Sequence, residues 1–226
     1  MLDEVPDQPY KGRGAVGNRS GRFEQVRHLR THDGWWLGEE ESTRQLVTEL
    51  KPDKSRTILT RNTSPDIPFD QSINPYKGCE HGCVYCFARP THSYLGLSPG
   101  LDFETKIFFK PGGAGLLEKE FRRPGYRCVP IALGVNTDAY QPAEKELGIT
   151  REILRVLSEY NHPVSIITKS ARILRDLDLL ADMAAKKLVH VVVSITTLDS
   201  NLARIMEPRA SAPQNRLKAI HELNEA

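Results

Sequence analysis

The stretch NPYKGCEHGCVYC, residues 74–86, places three of the chain's four cysteines within eight consecutive residues, at Cys79, Cys83 and Cys86. Cysteines this close in sequence pair poorly with one another, and clustered cysteines in a reducing compartment are more often metal ligands or redox catalysts than disulfides. Gly78 and Gly82 suit a loop that wraps closely around a bound group, because glycine tolerates unusual backbone angles. The stretch therefore predicts a metal or cluster site with three thiolate ligands.

The number of thiols bears on the kind of metal. Three thiolates on one loop suit an iron-sulfur cubane, in which three irons bind cysteine sulfur and the fourth iron stays open to another ligand. A structural zinc site usually needs four closed ligands, and the second pair would have to come from Cys128 with a distant histidine. We expect Cys128 to be a small buried apolar residue, and the side chain of His81 to face solvent or to cap the loop. A zinc knuckle and a set of inert thiols remain the alternatives.

Composition places few limits on function. The chain has 226 residues, with 31 Lys and Arg against 29 Asp and Glu, which gives a formal net charge of +2. This balance neither demands nor excludes a polyanionic partner. No apolar run approaches the roughly 20 residues that cross a bilayer, and the first residues lack the apolar core of a signal peptide. We therefore predict a cytoplasmic protein without a membrane partner.

The character of the sequence changes near residue 71. Residues 1–71 are rich in Gly, Arg, Asp, Ser and Pro and have no sustained apolar period, which predicts an irregular, basic N-terminal extension. Its segment KGRGAVG, residues 11–17, matches the dinucleotide-binding glycine pattern by letter, but no strand pattern precedes it. We expect the extension to be solvated or to cover the domain, and a phosphate-binding patch is the alternative. We expect Trp35 and Trp36 to pack against the core rather than to stack on a base. Residues 72–226 are predicted to form the functional core.

The core alternates between strand and helix patterns. After a short first strand that precedes the cysteines, apolar runs predict strands at residues 129–135, 163–168 and 188–195, and helical spacing predicts helices at residues 143–160, 171–185 and 215–226. The strands lack in/out alternation, which suits a parallel sheet covered on both faces. Repeated β-α-β units build a doubly wound sheet or a barrel, and in both the chemistry lies at the carboxyl ends of the strands.

The pattern C-x-x-x-C-x-aromatic-C, present as Cys79, Cys83, Tyr85 and Cys86 directly after the first strand, resembles the radical S-adenosylmethionine (SAM) superfamily. The resemblance implies a partial (β/α) barrel of the TIM type and a [4Fe-4S] cluster held by the three cysteines. It also implies that SAM binds the open iron, and that a reductant such as a flavodoxin or ferredoxin drives its cleavage to a 5′-deoxyadenosyl radical, which attacks the substrate.

Further segments resemble the branch of that superfamily related to spore photoproduct lyase, namely residues 134–142, 167–170, 193–195 and 207–209. The KGRGA and GRFE segments of the extension resemble those of an uncharacterised bacterial subgroup. By this resemblance Asp138 takes the place of the carboxylate that meets the ammonium group of SAM, although Asp138 could equally cap the next helix. The implied cofactor contacts are Tyr85, Phe87, Asn136, Thr137, Asp138, Lys169, Ser194 and Arg209, with Glu207 as a further candidate.

Two departures from the branch limit the functional prediction. Residues 134–137 read GVNT and hold no thiol where the lyase carries its hydrogen-donor cysteine. The chain also stops in a helix after the fourth predicted strand, so we expect an incomplete, C-terminally truncated barrel. The sequence therefore predicts a radical SAM enzyme core of unknown substrate. The alternatives are a DNA-photoproduct lyase or base-modifying enzyme that acts on nucleic acid, and a non-catalytic iron-sulfur or zinc binding module.

Overall fold

The structure, a computed structural model, describes residues 9–24 and 46–226. Trp35 and Trp36 lie outside the described residues. The strands are β1 Glu49–Pro52, β2 Leu59–Arg61, β3 Gln71–Ile73, β4 Tyr76–Lys77, β5 Lys106–Phe109, β6 Ile131–Leu133, β7 Val164–Thr168 and β8 Val189–Val193. The α-helices are α1 Leu101–Thr105, α2 Gly113–Phe121, α3 Glu144–Leu147, α4 Ile149–Glu159, α5 Leu177–Ala185, α6 Ser200–Met206 and α7 Pro213–Glu225, and residues Arg89–Leu95 and Ala171–Asp176 form 3₁₀ helices.

The main sheet has five strands in the order β2-β3-β6-β7-β8. Strands β3, β6, β7 and β8 run parallel, and β2 pairs antiparallel with β3 at one edge. These four parallel strands are the four predicted from the sequence, and helices connect β6 to β7 and β7 to β8. The mixed α/β fold with a parallel sheet confirms the predicted fold class, an incomplete barrel.

The N-terminal extension is less irregular than predicted. Its part after residue 45 supplies β1 and β2, and β1 pairs in parallel with β5 in a second, three-stranded sheet of order β1-β5-β4. Each of these two strands has only three or four residues. Strands this short carry little periodic signal in the sequence, and they form because a partner strand from the core completes their hydrogen bonds.

The sheet is covered by helices on one face. Ile131, Leu133 and Ile166 are buried there in a single apolar core with residues of α4, which include Ile153 and Leu154. The expectation that both faces would be covered agrees with β3 and β6, all of whose residues are buried, and was wrong for β7 and β8. Along β7 the burial alternates, and Ile167 on β7 and its partner Val192 on β8 each stay 39% exposed. The second face therefore borders open space, and part of it lines a cavity.

The helix predicted at residues 143–160 is broken at Gly148, whose φ of +63° ends α3 and starts α4. The break lets the carboxylate of Glu144, which is fully buried, accept hydrogen bonds from Thr150 N at 3.0 Å and from the hydroxyl of Tyr76. Arg175 pairs with the same carboxylate at 2.7 Å. Helical periodicity does not report such a break, because the apolar positions keep their spacing across it. Within the described ranges, no helix combines the length and apolar character needed to span a membrane.

Candidate functional site

The cysteine loop, residues 78–86, follows β4 near the carboxyl end of β3. Gly78 and Gly82 have φ values of +80° and +68°, in agreement with the prediction that these positions need glycine. The loop backbone is held by the core, because Cys79 N donates to Phe103 O at 2.9 Å. The side chain of Gln141 also bridges the start of the loop, accepting from Glu80 N and donating to Gly78 O. Hydrogen bonds to the core therefore fix the backbone of the cysteine loop.

The three thiols differ in exposure. Cys79 is buried, whereas Cys83 and Cys86 are partly exposed. Burial raises the pKa of Cys79 well above its usual range, and burial raises the pKa of Cys83 to about 11 although the nearby Lys169 cation opposes that shift. The raised pKa values mean that both cysteines favour the protonated thiol. A bound metal would favour the thiolate instead, because metal binding requires the deprotonated sulfur.

The number of thiols on the cysteine loop bears on which group it could hold. Among residues 9–24 and 46–226, no group of three or more His, Cys, Asp or Glu side chains is arranged to hold one metal ion. A cubane makes a different demand, because each thiolate binds its own iron and three ligands suffice. Three thiols on one rigid loop therefore fit a [4Fe-4S] cluster.

The predictions that Cys128 is buried and that His81 faces solvent were wrong. Cys128 is exposed, because it lies in the stretch before β6 and its side chain is left outside the core. His81 is buried, and its Nδ1 lies 3.4 Å from Asp138 Oδ2. Burial lowers the pKa of His81, although the Asp138 carboxylate opposes the shift. His81 therefore links the cysteine loop to the loop after β6.

Asp138 is held by several hydrogen-bond donors at the carboxyl ends of two strands. Its Oδ1 accepts from Thr168 Oγ1 and Tyr140 N, both at 2.8 Å, and its Oδ2 accepts from Lys169 N at 2.7 Å. It does not cap the following helix, since α3 begins after Ala143. Asp138 thus joins the loop after β6 to the end of β7, and it places the backbone of Lys169.

The two residues before Asp138 behave differently from each other. Thr137 is buried, and its hydroxyl donates to Tyr76 O at 2.7 Å, so its side chain supports the fold. Asn136 N donates to Asn74 Oδ1 at 2.9 Å, and Asn136 lines a cavity. The cavity encloses about 710 Å³, and Phe87, directly after the last cysteine of the loop, is part of its wall.

Three predicted residues come together beside the cysteine loop. Lys169 Nζ lies 5.8 Å from the centre of the Tyr85 ring and donates to Ser194 Oγ at 3.2 Å. The Tyr85 hydroxyl lies 3.0 Å from Thr196 Oγ1 and donates to the carboxylate of Glu207. Burial and the bond to Glu207 raise the pKa of Tyr85. Hydrogen bonds therefore hold the hydroxyl group of Tyr85, the aromatic residue of the cysteine motif.

Arg216 is a residue of this group that sequence reasoning missed. It is buried on α7, where its guanidinium pairs with the buried carboxylate of Glu207 and donates to Ser194 O at 3.0 Å and Ser211 O at 2.6 Å. Burial would raise the pKa of Glu207, but bonds from Thr196, Tyr85 and Arg216 lower it. A signal existed in the sequence, because Arg216 lies three residues from each of the small apolar residues Pro213 and Ala219 that α7 also buries.

Arg209 does not join the Lys169 group. Its backbone N donates to His81 O at 3.2 Å, and its guanidinium lies 3.1 Å from Glu80 Oε1. Both partners belong to the cysteine loop. Arg209, in the segment after α6, therefore holds the cysteine loop in place. These contacts are with that loop and not with Lys169 or Ser194.

The KGRGAVG segment, residues 11–17, also packs against the cysteine loop. Gly14 N and Ala15 N donate to the two carboxylate oxygens of Glu104, at 3.0 and 2.8 Å, and Glu104 is fully buried. Arg89 completes this arrangement, since it pairs with Glu104 at 2.6 Å and donates to Cys83 O at 2.9 Å. The backbone of Gly14 lies so close to Gly82 that a Cβ on Gly14 would stand 1.8 Å from Gly82 O. The segment covers the domain as expected.

Known proteins resemble this chain in sequence. The family model of the radical SAM superfamily matches residues 73–226. The uncharacterised protein Rv2578c of Mycobacterium tuberculosis is 42% identical over 160 residues, which are 71% of this chain and 47% of that protein. The uncharacterised protein MJ0683 of Methanocaldococcus jannaschii is 28% identical over 153 residues, 68% of this chain and 54% of that protein. The chain thus spans about half the length of these curated relatives.

Solved structures show the same fold. Spore photoproduct lyase complexed with dinucleoside spore photoproduct superposes with a TM-score of 0.55 at 16% identity, over 78% of this chain and 48% of that chain. A variant of that lyase with bound AdoMet and dinucleoside spore photoproduct gives a TM-score of 0.55 at 14% identity, over 78% and 47% of the two chains. The cysteine motif, the parallel sheet that presents it and the match over more than half of the chain lead to one conclusion: this chain belongs to the radical SAM superfamily.

Proposed function

We propose that Cys79, Cys83 and Cys86 hold a [4Fe-4S] cluster at which SAM is reductively cleaved to a radical that acts on a substrate not yet identified. The observation that carries this proposal is the placement of three thiols on one loop beside the group formed by Tyr85, Lys169 and Ser194. When bound, the cluster and SAM supply the radical chemistry, and the protein supplies binding, orientation and exclusion of water.

The side chains around the loop suit the polar groups of SAM. Lys169 is a cation whose Nζ is held by Ser194, so it is ready to meet the carboxylate of SAM. Asp138 positions the Lys169 backbone and lies close to the loop through His81. Tyr85 offers aromatic surface for the adenine beside the backbone near Phe87, with Asn136 as a polar contact and Thr137 as the support of that loop. Arg209 contributes by holding the cysteine loop.

The proposal includes the partners that this chemistry needs. An electron must reach the cluster, and a cytoplasmic flavodoxin or ferredoxin is the class of protein that supplies one. The similarity to the spore photoproduct lyase branch extends the proposal to the type of reaction, a lyase-like step started by hydrogen abstraction.

Replacing any one of Cys79, Cys83 or Cys86 by Ala should abolish cluster binding, because an iron loses its only protein ligand. The measurement is iron and sulfide content after anaerobic reconstitution, followed by assay of 5′-deoxyadenosine in the presence of SAM and dithionite. Cys128→Ala is the matched control and should retain the full cluster, because that thiol is exposed and lies outside the loop.

Three outcomes would contradict the proposal. Loss of the cluster in Cys128→Ala would overturn the ligand set. Zinc in a colourless protein would favour a structural metal module. A full cluster without any 5′-deoxyadenosine would favour a non-catalytic iron-sulfur module.

Action on nucleic acid is the second candidate function. The observation that favours it is the pair of exposed aromatic side chains Phe87 and Tyr94, which line the same cavity as Arg61 and Lys77. Aromatic side chains stack on bases, and cations neutralise phosphates. The absence of a thiol at residues 134–137 separates this chain from the lyase's own repair route. Affinity for single-stranded DNA or RNA should fall steeply as the salt concentration rises. No measurable binding to either nucleic acid would exclude this candidate function.

A further inference from the structure

The cavity of about 710 Å³ that Phe87 and Asn136 border has a distinct charge. Its walls come from both sheets, with Ile167 on β7 on one side and Lys77 and Lys110 beside β4 and β5 on the other. Three of the described residues that line it are cationic, the third being Arg61, and none of the described lining residues is acidic. A cavity of this size accommodates a small organic molecule, and the charge of its wall favours an anion.

The three cations differ in how they are paired. Lys77 Nζ lies 2.9 Å from Asp53 Oδ2, and Arg61 lies 3.3 Å from Glu120. Lys110 is only 8% exposed, and within the described residues its ammonium group has no hydrogen bond or ion pair. Burial lowers the pKa of Lys110 and Lys77 lowers it further, whereas Asp53 raises it.

The side chain of Lys110 is mostly covered, but its Nζ is not one of the described polar atoms that are fully buried without a hydrogen bond, so the ammonium group is open to the cavity. A cation that faces a cavity and has no ion-pair partner can form a charge-assisted hydrogen bond with an anion that enters it. An acidic group of a ligand that enters the cavity would supply the partner that Lys110 lacks. The single unpaired cation of the three therefore marks the place where the ligand's acidic group binds.

The rest of the wall suits a flat ring. Phe87 and Tyr94 are 77% and 74% exposed, although aromatic side chains of this size are normally covered in a folded domain. Phe69 and Ile167 add further apolar surface.

We propose that the substrate of this protein is a planar ring compound with an acidic group, and that Lys110 binds this group while Phe87 and Tyr94 contact the ring. The proposal deepens the proposed function, on which it rests, by naming the substrate class. The acidic group is a carboxylate or a phosphate, which share the charge that Lys110 recognises.

The test measures binding to the cluster-loaded protein by anaerobic calorimetry, without reductant. The charged probes are uridine 5′-monophosphate and 4-hydroxyphenylacetate, and their uncharged counterparts are uridine and 4-hydroxyphenylacetamide. Inorganic phosphate is the probe without a ring. At least one charged ring probe should bind about tenfold or more tightly than its uncharged counterpart and than phosphate, since a buried charged hydrogen bond contributes at least that factor. A preference for uridine 5′-monophosphate over uridine identifies the acidic group as a phosphate, and a preference for 4-hydroxyphenylacetate over its amide identifies it as a carboxylate.

Lys110→Met should remove this tenfold preference, and Lys77→Met should change it little, because Lys77 is already neutralised by Asp53. SAM should bind Lys110→Met as it binds the original protein. Lys110→Met should also keep or raise the midpoint of urea unfolding, because an apolar chain of similar length replaces a mostly covered lysine that has no ion-pair partner. That measurement separates loss of a ligand contact from loss of the fold.

The proposal is overturned if charged and uncharged probes bind equally, or if Lys110→Met binds the charged probes as well as the original protein does. A parallel loss of SAM affinity in Lys110→Met would assign this residue to the cofactor instead. Failure of the proposed function has a different readout, since it appears as a cluster-loaded protein that forms no 5′-deoxyadenosine whichever probe binds.

Discussion

Arg216→Met is expected to lower the free energy of unfolding by about 3–5 kcal/mol, the cost of removing one partner of a buried ion pair. Arg216 and Glu207 are both buried, so the substitution leaves a carboxylate without its cation. It also frees the carbonyl groups of Ser194 and Ser211, which the guanidinium binds. The shift in the urea unfolding midpoint measures the effect.

The same change should disturb the cysteine motif. Tyr85 is held by Glu207, and an unpaired Glu207 gains a proton more readily and then binds the Tyr85 hydroxyl less strongly. The expected result is weaker SAM binding by protein that is still folded at low temperature. Calorimetry on cluster-loaded protein checks this second effect.

Two variants make the test specific. Lys218→Met is the matched control on the same helix, where the lysine is exposed and its pair with Glu222 at 3.4 Å contributes little. The double variant Glu207→Leu, Arg216→Met should recover much of the lost stability, because replacing a buried ion pair by apolar residues is often neutral. If Arg216→Met is as stable as Lys218→Met, the buried pair does not have the role assigned to it.

Gly14→Ala should release the KGRGAVG segment from the cysteine loop. The added methyl group would stand 1.8 Å from Gly82 O, and both atoms belong to backbone, so the segment must move away. Gly14 N and Ala15 N then lose the carboxylate of Glu104. Two hydrogen bonds to a buried charge contribute about 1.5–3 kcal/mol each, so the free energy of unfolding should fall by about 3 kcal/mol or more.

The cluster provides a second measurement for Gly14→Ala. Because Glu104 and Arg89 hold the backbone of Cys83, a displaced segment should leave the loop less rigid. Iron content after reconstitution should fall, and the visible absorbance of the cluster should bleach faster in air.

Gly115→Ala is the control for this prediction. A Cβ at Gly115 meets no atom within 4 Å, and alanine within α2 should stabilise the helix by about 0.5–1 kcal/mol. Equal iron content and equal stability in Gly14→Ala and the original protein would show that the segment does not support the loop.

Much of the fold and of the site could be predicted from local patterns. The spacing of Cys79, Cys83 and Cys86 indicated the cluster site, and the apolar runs predicted the four parallel strands that the structure contains. Lys169 and Ser194 were candidates through the resemblance to the family, and the structure brings their side chains together. The cysteine spacing and the strands depend on residues close in sequence or on a regular repeat.

Other features depend on contacts between distant residues, and local patterns carry little information about them. The burial of His81 follows from Asp138, and the exposure of Cys128 follows from its place outside the helices that cover the sheet. The break at Gly148 follows from the partners of the buried Glu144. In each case the neighbours that decide the outcome are more than a helical turn away in sequence or lie on another element.

The sequence by itself determined the resemblance to the family, the three candidate ligands and the alternation of strands and helices. These features depend on the spacing of the cysteines and on the periodicity of apolar residues, which involve residues close in sequence. Only the tertiary structure decided that Arg216 holds Tyr85 through Glu207, that Gly14 lies against the cysteine loop, and that Lys110 faces a cavity without an ion-pair partner among the described residues. The physical reason is that the energy of a charge or a close backbone contact depends on what surrounds it. Those surroundings come from residues that are distant in sequence and meet only in the folded chain.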